Sequence, residues 1–132
     1  LNKAEQQRLT AYGVPFEKVV YGRIPMMVTA NCVLRTTDQC RKNSNTETVL
    51  CDRYHKEFPV IRDCAHCMNI IYNSVPLVLL RDLPRWRDRA RLRLDFTVES
   101  PEEMRKVLDV FLLGTQMELG EYTTGHEKRG VE

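Results

Sequence analysis

The chain has 132 residues, of which 42% are apolar, 29% charged and 8% aromatic. That composition excludes a collagen-like or low-complexity chain, argues against global disorder, and supports a single domain, 1–132, with a buried core. Twenty Lys and Arg against eighteen Asp and Glu leave a net charge of +2, which excludes a wholly basic nucleic-acid surface while permitting a local patch. No apolar run approaches the ~20 residues of a membrane-spanning helix, so no membrane partner is expected. The start shows no secretory signal, which makes the cytoplasm the expected location. Leu1 in place of Met leads us to expect a fragment whose first partner is the remainder of a longer polypeptide.

The elements follow in chain order. Residues 2–12 read as a helix, with Asn2 as N-cap and Glu5 three residues on, stopped by Gly13 and Pro15. Residues 17–21 and 24–30 read as extended, and their apolar runs with little alternation predict strands buried on both faces. Pro25 predicts a bend or a strand end. The polar stretch 41–48 is a loop, flanked by β-like runs at 49–54 and 57–62 with His55-Lys56 as a two-residue hairpin turn. Residues 69–74 predict a buried strand. Residues 77–90 predict a helix kinked or restarted at Pro84.

Residues 91–97 alternate, with Leu92, Leu94 and Phe96 on one face, and predict a strand. Ser100 then caps a helix with Pro101 at its first position and Glu102 and Glu103 in its first turn. Met104, Val107, Leu108, Phe111 and Leu112 form its apolar face, and Gly114 ends it. Strands alternating with helices predict an α/β arrangement with a parallel sheet.

The five cysteines, Cys32, Cys40, Cys51, Cys64 and Cys67, all fall within residues 32–67. An odd, clustered set in a chain with no secretory signal points to metal rather than to a disulfide framework. Cys64-Ala65-His66-Cys67 is a C-x2-C pair, whose two sulfurs reach one point from a tight turn. Four thiolates from two such segments hold zinc or an iron–sulfur cluster. Seven residues separate Cys32 from Cys40, looser than a zinc knuckle, which tilts the chemistry toward a cluster. The segment 31–68 is therefore the expected metal-binding region, and Cys51 is read as a packed free thiol. A thioredoxin-like use of Cys64 and Cys67 would need a helix after the motif, where a strand-like run follows instead. A small structural zinc module is a third reading.

Four segments carry a family resemblance: VVYGRIPMMVTANC (19–32), CDRYHKEFPVIRDCAHCMNIIYNSVPLVLL (51–80), RLDFTVESPEE (93–103) and TTGHEKRGVE (123–132). Together they resemble the collagenase-like peptidase family of unassigned catalytic class, number thirty-two, in the C-terminal portion of its long bacterial members. The resemblance implies a fragment like the last strand-helix units of a β/α barrel, with a Cys-rich β-hairpin insertion. It implies a four-cysteine iron–sulfur (4Fe-4S) cluster on Cys32, Cys40, Cys64 and Cys67, with zinc as a substitute in an aerobic preparation. It implies a peptidase parent or, alternatively, an accessory factor for pyrimidine hydroxylation in transfer or ribosomal RNA, or for oxygen-independent ubiquinone hydroxylation, with protein or RNA as the expected macromolecular substrate. The family's N-terminal glycine- and cysteine-containing signature is missing, so this chain alone is expected to be inactive.

Other residues carry weaker chemistry. His126, in T-G-H-x-x-R-G-V, is a general-base or anion-contact candidate beside Arg129. Asp95 and Glu99, at the end of the last expected strand, are a candidate carboxylate pair, because strand C-termini carry the chemistry of β/α barrels. His66 is a candidate hydrogen-bond donor to a cluster sulfur. No serine sits in G-x-S-x-G and no H-E-x-x-H occurs. Six arginines fall within residues 81–93 around Trp86, and Arg85, Trp86, Arg87 and Arg91 are candidate RNA contacts by phosphate pairing and stacking. The competing reading is a solvated helix face with Asp82 and Asp88 pairing locally.

Overall fold

The structure, a computed structural model, describes residues 3–37, 40, 48–116 and 118–125. It mixes helices and strands, as the α/β expectation requires, but the chain contacts group into two compact units where the sequence reads as one domain. The first comprises Leu1–Gly22 and Val75–Glu132, the second Arg23–Ser74. No helix among the described residues is long and apolar enough to cross a membrane.

The first unit opens with helix α1 (Lys3–Ala11) and strand β1 (Glu17–Gly22). Gly13 lies in the left-handed region at φ 66°, which lets the chain leave the helix. Strand β1 is central in a three-stranded sheet. On one side it pairs antiparallel with the short β6 (Leu77–Val78), on the other parallel with β7 (Arg91–Asp95). Central position explains why Val20, Tyr21 and Gly22 are buried, as the unalternating apolar run predicts. Between β6 and β7 run a 3-10 turn (Leu80–Asp82) and the one-turn helix α3 (Leu83–Trp86). The long helix expected over 77–90 is therefore reduced to this turn. Leu77 and Val78 are held extended by Gly22 and Tyr21, and Pro84 sits at the start of α3, where its missing N–H costs nothing.

Helix α4 (Pro101–Leu108) follows the sequence reading closely. Ser100 Oγ accepts from the Glu103 N–H at 3.2 Å, and the Glu103 carboxylate accepts from the Ser100 N–H at 2.7 Å, a complete capping box. The helix widens into a π-helical turn (Asp109–Leu113) and ends at Gly114 in the left-handed conformation. Its Val107 meets Tyr21 and Val78 in the core, with Leu94, Phe96 and Phe111 packed around them. Tyr21 stacks obliquely on Phe96 at 5.5 Å and edge-on to Phe111 at 6.0 Å.

The second unit is an antiparallel four-stranded sheet, β2–β5–β4–β3 in spatial order. Its strands are β2 (Pro25–Thr29), β3 (Thr48–Cys51), β4 (Glu57–Asp63) and β5 (Met68–Tyr72), with the one-turn helix α2 (Val33–Thr36) after β2. The parallel-sheet expectation thus holds only for the β1–β7 pair. Strand β2 also departs from its reading. It is an edge strand with Pro25 at its start, and Met26 and Val28 are 61% and 60% exposed rather than buried. The β3–β4 hairpin forms, but through the five residues 52–56, not two. Asp52 Oδ1 accepts from the N–H groups of Tyr54 (2.8 Å) and Lys56 (3.0 Å), and His55 takes φ 60°. The unit's two ends are tied together: the Asn73 N–H donates to the Ile24 carbonyl at 2.9 Å, and Arg23 Nη1 donates to the carbonyls of Asn73 and Ser74. Adjacent ends are what an inserted unit needs.

Candidate metal centre

Strands β4 and β5 are joined by residues 64–67, so the C-x2-C motif is a hairpin turn. Asp63, which the sequence reading passed over, shapes it. Its Oδ1 accepts from the N–H groups of Ala65 (3.0 Å) and His66 (3.2 Å), and its Oδ2 pairs with His66 Nδ1 at 2.7 Å. The His66 side-chain hydrogen bond, followed by that of the His66 backbone, holds the Asp63 carboxyl below the usual carboxylate range. Cys67 closes the turn at φ 54°, a left-handed conformation. The signal for Asp63 was a short acceptor side chain at the first position of a turn, where Asx geometry is favoured.

Cys32 lies at the same end of this sheet. Thr29 of β2 is in register with Asn69 of β5, and Asp63 with Met68, so the chain leaving β2 emerges beside the cysteine turn. Asn69 fixes that exit. Its side chain is fully buried, and its Nδ2 donates to the Asn31 carbonyl at 2.6 Å. Its Oδ1 has no hydrogen-bond partner among the described residues. The signal for Asn69 was one polar side chain inside the apolar run of β5. Cys32 itself is buried and precedes α2, where its carbonyl accepts from Thr36 Oγ1 at 3.1 Å.

All five thiols are free. Cys64 is half-buried, and Cys40, Cys51 and Cys67 are exposed. The exposure of Cys51 departs from its reading as a packed thiol. Its place at the end of edge strand β3, opposite Glu57, accounts for this. The donor set suits zinc or an iron–sulfur cluster in kind, and three of its members share one sheet end. Their positions do not yet fit a bound group: among the described residues no three of His, Cys, Asp and Glu stand close enough to hold an ion.

The other sequence candidates are dispersed. Glu99 is engaged by the backbone. Its Oε2 accepts from the N–H groups of Thr97 (2.7 Å) and Val98 (3.1 Å), and the Tyr21 hydroxyl reaches its Oε1 at 3.5 Å. Asp95 instead pairs with Arg93 at 2.9 Å, and Arg93 also reaches Glu17 at 3.1 Å. The hydrogen bond that Arg93 donates to Asp95, then the one it donates to Glu17, raises the Arg93 pKa. No described hydrogen bond joins Asp95 to Glu99, so the strand end presents two separately employed carboxylates. His126 lies outside the described residues.

Trp86 is only 1% exposed. It packs edge-on against Phe16 at 5.9 Å, under the cations of Arg85 (4.8 Å) and Lys18 (5.5 Å). Its ring is therefore closed to a stacking base, whereas Arg87 and Arg91 are exposed. Comparison of the chain with protein-family models, curated proteins and solved structures finds no match.

Proposed function

We propose that this chain is the metal-bearing part of a protein of the collagenase-like peptidase family, with Cys32, Cys40, Cys64 and Cys67 as ligands of an iron–sulfur cluster. The observation that supports it is the C-x2-C motif on a hairpin turn at the sheet end from which the Cys32 segment emerges. Binding would draw these thiolates together, since metal ligation and local folding are coupled. A cluster supplies electron transfer at such a site, while zinc in its place supplies only a structural tie.

The protein's own part is support. Asp63 holds the turn, and Asn69 holds the Asn31–Cys32 segment beside it. Anaerobic purification with iron, sulfide and zinc quantified tests the proposal. Iron and sulfide should be retained by the chain and by Cys51→Ser, and lost from Cys64→Ser. Metal lost from Cys51→Ser, or absent throughout, contradicts it. Hydrolysis needs an activated nucleophile beside a base. The chain alone is therefore expected to cleave neither gelatin nor peptides, and cleavage lost on mutating one of its own residues would overturn that expectation.

A further inference from the structure

We propose that Cys64 and Cys67 are a redox pair that closes a reversible disulfide across the β4–β5 turn and, when closed, shuts metal out of the site. The closure stands by itself, while its consequence for metal rests on the metal reading above.

Reach singles out this pair. Strand pairing ends at Asp63 and Met68, which stand opposite each other, so residues 64–67 form a four-residue turn with a cysteine at each end. The end residues of so tight a turn lie within about 7 Å, Cα to Cα, and a disulfide spans Cα atoms about 4.4–6.8 Å apart. Asp63 Oδ1 fixes the centre of the turn through the Ala65 and His66 N–H groups, and neither sulfur is engaged by a described residue. The other thiols are poorer partners. Cys51 stands opposite Glu57, at the far end of the seven-residue β4. At the rise of a strand that end is roughly 20 Å from the turn. Cys32 is buried. Cys40 is separated from Cys64 by 23 residues, so a bridge to it closes a far longer loop than the turn does.

Access sets the order of events, since Cys67 is exposed and Cys64 half-buried. The oxidant is a low-molecular-weight disulfide such as oxidised glutathione. The Cys67 thiolate attacks one sulfur of that disulfide, a mixed disulfide forms, and one glutathione thiolate leaves. The Cys64 thiolate then attacks the Cys67 sulfur. The Cys64–Cys67 bond forms, and the second glutathione leaves with the electron pair of the broken bond. The protein pair has lost two electrons, and its two protons end on the two glutathiones. A strand follows Cys67 in place of a helix, so the pair lacks the helix N-terminal field that activates thioredoxin-like cysteines. It is a switch set by the ambient thiol–disulfide poise, not a catalyst of exchange. Ligation of zinc or iron requires thiolates, so the closed pair leaves only Cys32 and Cys40 of the four.

The test uses the whole chain, stripped of metal with a chelator and equilibrated anaerobically in glutathione buffers from reduced to oxidised. No Lys or Arg separates Cys64 from Cys67, so trypsin leaves both in one peptide. In oxidised buffer that peptide should lose two hydrogens in the mass spectrum, and dithiothreitol should restore them. Cys51→Ser should close the pair as the parent does. In Cys64→Ser, Cys67 should keep glutathione as a stable mixed disulfide, and in Cys67→Ser glutathione at Cys64 should be several-fold less. With zinc ion as the probe, the closed chain should bind at least about tenfold more weakly than the reduced chain. Cys64 or Cys67 joined mainly to another cysteine, or a mixed disulfide that persists at Cys67 beside an intact Cys64, overturns the disulfide. Equal zinc affinity of closed and reduced chains overturns the switch. A reduced chain that takes up no zinc overturns its effect on metal, while the disulfide is still judged by the mapping.

Discussion

Gly22 carries more of the first unit than its size suggests. It takes φ 143°, and a Cβ placed there would overlap the Asp95 carbonyl and come within 2.9 Å of the Asp95 Cβ. Gly22→Ala should therefore destabilise the protein by about 2–3 kcal/mol, from a backbone conformation that L residues resist and a clash in the β1–β7 pair. Urea denaturation measures it, and a loss under about 0.5 kcal/mol, the range of an ordinary surface change, would show that the strand pair gives way easily. Asp63 acts on charge instead. Its folded-state carboxyl is depressed, so its contribution is full above the ordinary carboxylate pKa of about 3.9 and is lost as pH falls through the lower folded value. In metal-free protein, carbon-detected NMR should place the Asp63 titration below that ordinary value, and His66→Ala should move it upward. An Asp63 titration that His66→Ala leaves unmoved would remove the His66 hydrogen bond as the cause.

Elements whose signals are local were legible in the sequence. Ser100, Pro101, Glu102 and Glu103 mark the start of α4, and both hydrogen bonds of the capping box form. Ser100→Ala should cost about 1 kcal/mol in urea denaturation and Ser100→Thr much less, whereas equal losses from the two would assign the effect to packing. Elements decided by distant partners were not legible. Leu77 and Val78 look helical in their own window, yet they are strand because Tyr21 and Gly22 take them as edge partners. Strand β2 shows why apolar composition is not burial: Met26 and Val28 are as apolar as a core requires, but they lie on an edge with one neighbour. Trp86 shows the same limit. Its arginine neighbours leave a nucleic-acid face and a solvated helix face both open, and its packing on Phe16, far away in the sequence, reveals that the ring is core.

At the scale of the molecule, an antiparallel unit carrying every cysteine interrupts a unit whose sheet needs both flanking stretches of chain. The sequence placed the cysteines in one window, and the C-x2-C pair was recognisable because its spacing is local. What spacing could not show is the support around it: the Asp63 acceptor that shapes the turn, and the buried Asn69 that anchors the exit from β2. These two side chains hold the cysteine turn and the chain leaving β2 at one sheet end. We propose that the thiolates of these segments meet on one metal group. Iron-edge X-ray absorption of the anaerobically purified chain tests this. The spectrum should show a first shell made only of sulfur at about 2.3 Å, with iron neighbours behind it, altered by Cys32→Ser and by Cys67→Ser but not by Cys51→Ser. A first shell of oxygen and nitrogen, or a spectrum that Cys32→Ser leaves unchanged, would contradict it.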